Sequence, residues 1–138
     1  MERLLDVKTN DDFNKLKDEA LLGNRNKTNK LLSETVIETE KTIYYLSLIN
    51  LRLIKLSEIY NEADGNLELK INNLKPPVFW KDKPILALQS KKWNKSKIKR
   101  ALEKTYQAEI NIKSNSFVRK DILIKNLIVD LCNVANDP

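Results

Sequence analysis

The placement of glycine and proline constrains this chain more than any other feature. Its 138 residues include two Gly and four Pro, and neither type occurs between Asn24 and Asp64 or between Ile85 and Asp137. Strand-rich folds need turn residues about every 8–12 positions, which this chain does not supply. Long unbroken stretches of Leu, Lys, Glu and Ala favour helix. The expected fold is therefore all-α, a bundle of six to seven helices. A chain of this length buries roughly two-thirds of its unfolded surface, enough for one core and one domain.

Composition closes off much chemistry. With no His and a single Cys, imidazole metal ligation, a Ser-His or Cys-His nucleophile, a disulfide within the chain and a Cys-based metal cluster are all excluded. Two isolated glycines cannot form a phosphate-cradling loop or a dinucleotide fingerprint. The chain is read as non-catalytic, with no cofactor. The segment from Ile43 to Tyr60 holds 12 apolar residues in 18, but Asn50, Arg52, Lys55 and Glu58 lie inside it, which suits a buried helix and not a membrane span. The N-terminus lacks the basic-then-apolar order of a signal peptide, so a cytoplasmic location and no membrane association are expected.

Asn10-Asp11-Asp12 reads as a helix start, with Phe13, Leu16, Ala20 and Leu21 at helical spacing and Gly23 as the stop. Asp18 and Glu19 are then assigned to the acid-favouring start of that helix. A short helix over 24–33 follows and forms a hairpin with the first. A third helix, over 35–61, is apolar on more than one face, and Asp64-Gly65-Asn66 breaks it. After a short amphipathic turn from Leu67 to Leu74 comes the rigid joint Lys75-Pro76-Pro77. A fourth helix is expected from Val78 to Lys91, with Pro84 forcing a break or restart. Asn94 caps the next, whose stripe is Ile98, Ala101, Leu102, Thr105, Ala108 and Ile112. A polar turn at 113–116 leads to a last helix over 118–134, with Ile122, Ile124, Leu127, Ile128, Leu131 and Val134 spread around it. Cys132, beside Leu131, is expected to be a small buried hydrophobe.

Charge is unevenly distributed. From Lys75 to Lys104 there are ten basic residues against Asp82 and Glu103, a net of +8 in a chain of net +6, so the remainder is near −2. Clustered lysines neutralise phosphates and release counterions, and Phe79, Trp80 and Trp93 are interleaved with them, where an exposed ring could stack on an unpaired base. The alternative is a solvated lysine face with the aromatics in the core. Both readings stand at this point, as do two for Glu109: a carboxylate holding a neighbouring subunit's Arg, or half of an i,i+4 pair with Lys113.

The order of segments resembles a known family. The run Leu74-Lys75-Pro76-Pro77-Val78-Phe79-Trp80-Lys81-Asp82-Lys83-Pro84, then Trp93, then Ala108-Glu109-Ile110-Asn111-Ile112-Lys113-Ser114 and a Leu-rich last helix, is similar to the C-terminal domain of the bacterial DNA polymerase III delta subunit. Ala20-Leu21-Leu22-Gly23-Asn24 fits the opening hairpin of that domain, and the resemblance spans about residues 10 to 136. Asn115-Ser116-Phe117 departs from the Gly- or acid-containing loop common in the family. The resemblance implies a collar domain over 10–136, with 1–9 the tail of a linker from clamp-opening domains that precede it. Such a domain holds delta in the pentameric clamp loader, beside the motor (gamma/tau) and delta-prime subunits, and works in DNA replication without catalysing it. The sliding clamp would be met only through the preceding domains. Subunit contacts are then expected from Ile43, Leu46 and Leu51, from Glu109, and from Ile124, Leu127 and Leu131. Primer-template DNA would lie near Lys81, Lys83, Lys91, Lys92, Lys95 and Lys97, with Trp80 the favoured stacking residue. Two readings compete: a stand-alone helical nucleic-acid-binding module whose footprint is the basic 75–104 segment, and a general helical adaptor unrelated to replication.

Overall fold

The computed structural model describes the backbone of residues 2–61, 66–75, 77–114 and 117–137, and side chains from Asp11 onward within those ranges. The fold is all-α. Among the described residues there are seven α-helices and no strand: α1 (Glu2–Leu21), α2 (Arg25–Glu34), α3 (Thr42–Asn61), α4 (Leu67–Asn72), α5 (Lys83–Lys92), α6 (Lys95–Lys113) and α7 (Lys120–Asn136). None is long and apolar enough to cross a membrane.

Helix limits follow local chemistry. Asn24, Asn66 and Asn94 each open a helix, their side-chain oxygens accepting from the backbone N–H three residues on, which satisfies one of the orphan donors of a first turn. Gly23 closes α1 at φ +75°, with its N–H donating to Ala20 O and that of Asn24 to Glu19 O. That left-handed stop is the one glycine can adopt without steric cost.

Four boundaries differ from expectation. No start occurs at Asn10, because nothing in Glu2–Thr9 stops a helix and α1 runs back to Glu2. Asp18 and Glu19 therefore sit in its last turns, where the dipole does not favour acids. The third helix begins at Thr42 and not at Thr35. The Thr35 N–H closes α2 on Leu31 O, β-branched Thr35-Val36-Ile37 favours extended backbone, and a single 3₁₀ turn (Thr39–Lys41) leads into α3. The fourth helix does not begin at Val78; it starts at Lys83, with Pro84 in the first turn of α5, where its missing N–H is harmless, in line with the restart expected there. The last helix is displaced by two residues toward the C-terminus. The breaks placed at Asp64-Gly65, Pro76 and Asn115-Ser116 lie outside the described residues.

Helix α3 is central, packed by α6, α7, α5, α1 and α4, while α7 is packed by α6, α1, α3 and α2. The core runs through Phe13, Leu16, Leu21, Tyr45, Ile49, Leu53, Leu56, Leu86, Ile124, Ile128 and Leu131, all fully buried. Phe13 stacks on Tyr45 with ring centroids 4.2 Å apart. Trp93 closes the α5–α6 corner, its Nε1–H donating to Leu21 O at 2.7 Å, and the Tyr60 hydroxyl meets the carbonyls of Ser90 and Trp93. Cys132 is buried.

Candidate subunit-assembly face and basic segment

The residues expected at a partner interface divide sharply. Leu46, Ile124, Leu127 and Leu131 are buried in the chain's own core, so the expectation that they meet neighbouring subunits is corrected. The apolar breadth of α3 and α7 is largely met by four or five helices of the same chain. Ile43 and Leu51 are different: they are 46% and 56% exposed, with Tyr44 and Ile54 also exposed. Positions seven, eight and eleven residues apart return to one side of a helix, so these four share a face. Phe79 extends it, since Phe79, Leu48 and Leu51 line a common cleft of about 420 Å³. Glu109 is half-buried and pairs with Lys113 at 2.9 Å, so it already has a local partner.

The basic residues divide as well. Lys97 is buried, and its Nζ donates to Lys92 O at 3.0 Å and Ala135 O at 3.1 Å. These are carbonyls at the C-terminal ends of α5 and α7, which lack intrahelical partners. Lys97 thus caps two helices at once and is not available to DNA, a second correction. Lys83 donates to Asn72 Oδ1 at 2.8 Å and ties α4 to α5. Lys81 lies over the ring of Trp80, 5.4 Å from its centroid, within cation–π range. Lys91, Lys92 and Lys95 are exposed and form no ion pair or side-chain hydrogen bond among the described residues; the same holds for Lys99.

The two tryptophans have opposite fates. Trp93 is buried, while Trp80 is 67% exposed and lies against Phe79 with ring centroids 5.9 Å apart. Trp80 also borders a cleft between α4 and α5 with Leu67, Ile71 and Pro84.

A buried polar cluster was not legible beforehand. Arg52 Nη1 donates to Gln89 Oε1 at 2.8 Å and approaches Asp18 Oδ1 at 3.3 Å. Gln89 Nε2 donates to Asp18 O at 3.1 Å. Lys17 Nζ donates to Asn14 Oδ1 at 2.9 Å and lies 3.8 Å from Asp18. One carboxylate is shared between two cations, and α1, α3 and α5 are braced together. Burial first, and the Arg52 charge second, lower the Lys17 amine from its usual 10.5 to about 8, against the pull of Asp18 and Asp82. Among the described residues no group of His, Cys, Asp and Glu is arranged to hold a metal ion.

Compared with protein-family models, curated proteins and solved structures, the chain has no significant match. Functional assignment therefore rests on the chain's own residues and on the segment order described above.

Proposed function

We propose that this chain is a non-catalytic subunit-assembly domain, the collar part of a bacterial DNA polymerase III delta subunit, which joins motor and delta-prime subunits in a clamp loader. The observation that carries this reading is the exposed apolar face of α3, made by Ile43, Tyr44, Leu51 and Ile54. A contiguous face of this kind, set beside charged surface, is characteristic of protein interaction sites. The all-helical fold and the ordered segments from Leu74 to Ser114 support the same reading.

The second reading, a stand-alone nucleic-acid module, draws on Lys91, Lys92, Lys95 and Lys99, which no acid among the described residues neutralises. Two sets of substitutions separate the readings. Ile43→Asp with Leu51→Asp alters exposed positions and should abolish capture by motor and delta-prime subunits while the helical circular dichroism is retained. Lys91, Lys92 and Lys95 changed together to Glu should leave that capture largely intact. Capture lost in the lysine variant and kept in the aspartate variant would overturn the assembly reading.

A further inference from the structure

A second surface feature builds on the nucleic-acid reading, from which it takes Lys95 and Lys99, and adds Ser57, Asn61, Leu102 and Tyr106. Between the C-terminal half of α3 and the N-terminal half of α6 is an open cleft of about 450 Å³, within the range of about 300–1,000 Å³ usual for small ligand sites. Its apolar floor is Ile98 and Leu102, and Tyr106, 65% exposed, forms one wall. Ser57 and Asn61, one turn apart on α3, supply a hydroxyl and a carboxamide. Lys95 and Lys99, one turn apart on α6, flank it, and Glu103 is the only acid in its lining.

The lysines are the informative part. The first two turns of α6 carry Lys95, Lys97, Lys99 and Arg100, and the first turn has no acid. Cations at a helix N-terminus oppose the macrodipole, so this arrangement does not serve helix stability. Lys97 is accounted for by the two carbonyls it caps, and Arg100 by its pairing with Asp137 at 2.5 Å. Lys95 and Lys99 have no such role among the described residues, and they are the two that border the cleft. An exposed aromatic, an apolar floor, polar groups at the edge and two cations on the rim form the combination that holds a base and its phosphates.

We propose that this cleft binds one unpaired base of a single-stranded nucleic acid, stacked on Tyr106 over Ile98 and Leu102, with the adjoining phosphates on Lys95 and Lys99. A duplex does not fit this chemistry, because its bases present no free face to a side chain. The site is distinct from the cleft lined by Leu51 and Phe79, while Ser57 and Asn61 follow Ile54 by three and seven residues and continue its side of α3. It also differs from Trp80, which borders its own cleft between α4 and α5.

The test is fluorescence anisotropy of the full chain with labelled oligothymidylate and oligouridylate of about ten nucleotides, and with a blunt hairpin duplex, between about 50 and 200 mM salt. Tyr106→Ala should weaken single-strand binding on the order of tenfold, and Tyr106→Phe, which keeps the ring, by less than about twofold. Lys95→Ala and Lys99→Ala should each lower the slope of log affinity against log salt by about 0.7, the value for one phosphate of a single strand. Glu103→Gln, which removes a charge facing phosphate, should tighten binding. All four positions are on the surface, so circular dichroism should be unchanged. Tighter binding of either the DNA or the RNA strand, with the same loss in Tyr106→Ala, supports the site and identifies its source. No binding of either strand, wild-type affinity in Tyr106→Ala, or equal affinity for the duplex overturns it.

Discussion

The buried Lys17 makes stability depend on pH in a direction opposite to that of most proteins above neutrality. Its amine titrates at about 8 in the folded chain and near 10.4 when unfolded. Between those values the unfolded chain binds more protons than the folded one, so stability rises with pH. Below pH 8 both states are protonated, and the full cost of a buried ammonium beside Arg52 is present. Integrating from pH 7.5 to 9.5 gives a gain of about 2 kcal/mol from this one group. Tyr45 and Tyr60 oppose it, since burial raises both hydroxyls and the unfolded chain ionises first, but each takes back at most about 0.2 kcal/mol by pH 9.5. The groups facing Lys17 are Asn14, Asp18, Arg52 and Asp82. The assay is urea unfolding at constant ionic strength at pH 7.5, 8.5 and 9.5, for wild type and Lys17→Met. The wild-type curve should climb, and the Met variant should stay level or fall by a few tenths of a kcal/mol, on the order of the tyrosine contribution. A flat wild-type curve, or an equal climb in the variant, would refute the reasoning.

Two further outcomes follow from the geometry. Lys97→Met leaves the carbonyls of Lys92 and Ala135 without their charged donor, so urea unfolding should show a loss of about 2–4 kcal/mol, whereas Lys95→Met should change stability by less than about 0.5 kcal/mol. Gly23→Ala places a Cβ at φ +75° and 2.8 Å from Asn136 Oδ1, disturbing the side chain that donates to Gly23 O and Cys132 O; thermal unfolding should fall by several degrees, equivalent to about 1–2 kcal/mol.

What could be read from the sequence was local. Gly23, Asn24 and Asn94 act within four residues of their own position, and the structure places helix ends at all three. The α6 stripe was also legible, because one face of one helix meets the core. Long-range pairing was not. Arg52 and Gln89 are 37 residues apart, and Lys97 and Ala135 are 38 apart, so no local pattern marks Lys97 as a cap while Lys95 remains exposed. The same limit explains Leu46, Ile124, Leu127 and Leu131. An apolar face signals only that something covers it, and here α1, α3, α6 and α7 cover one another. Trp80 and Trp93 lie in similar company along the chain, yet only Trp93 reaches a carbonyl of α1. Tyr106 did carry a signal, being a large aromatic one residue off the apolar stripe that runs through Thr105, Ala108 and Ile112.

The central claim is that the exposed face of α3 is an assembly surface, and light scattering on a sizing column tests it most directly. The chain is run alone and then mixed with motor and delta-prime subunits from the same organism. The assembly reading predicts a single peak with the mass of a stoichiometric complex, lost when Ile43 and Leu51 are both changed to Asp. Elution of the wild-type chain at its own mass beside those subunits, at concentrations where they associate with each other, would contradict it.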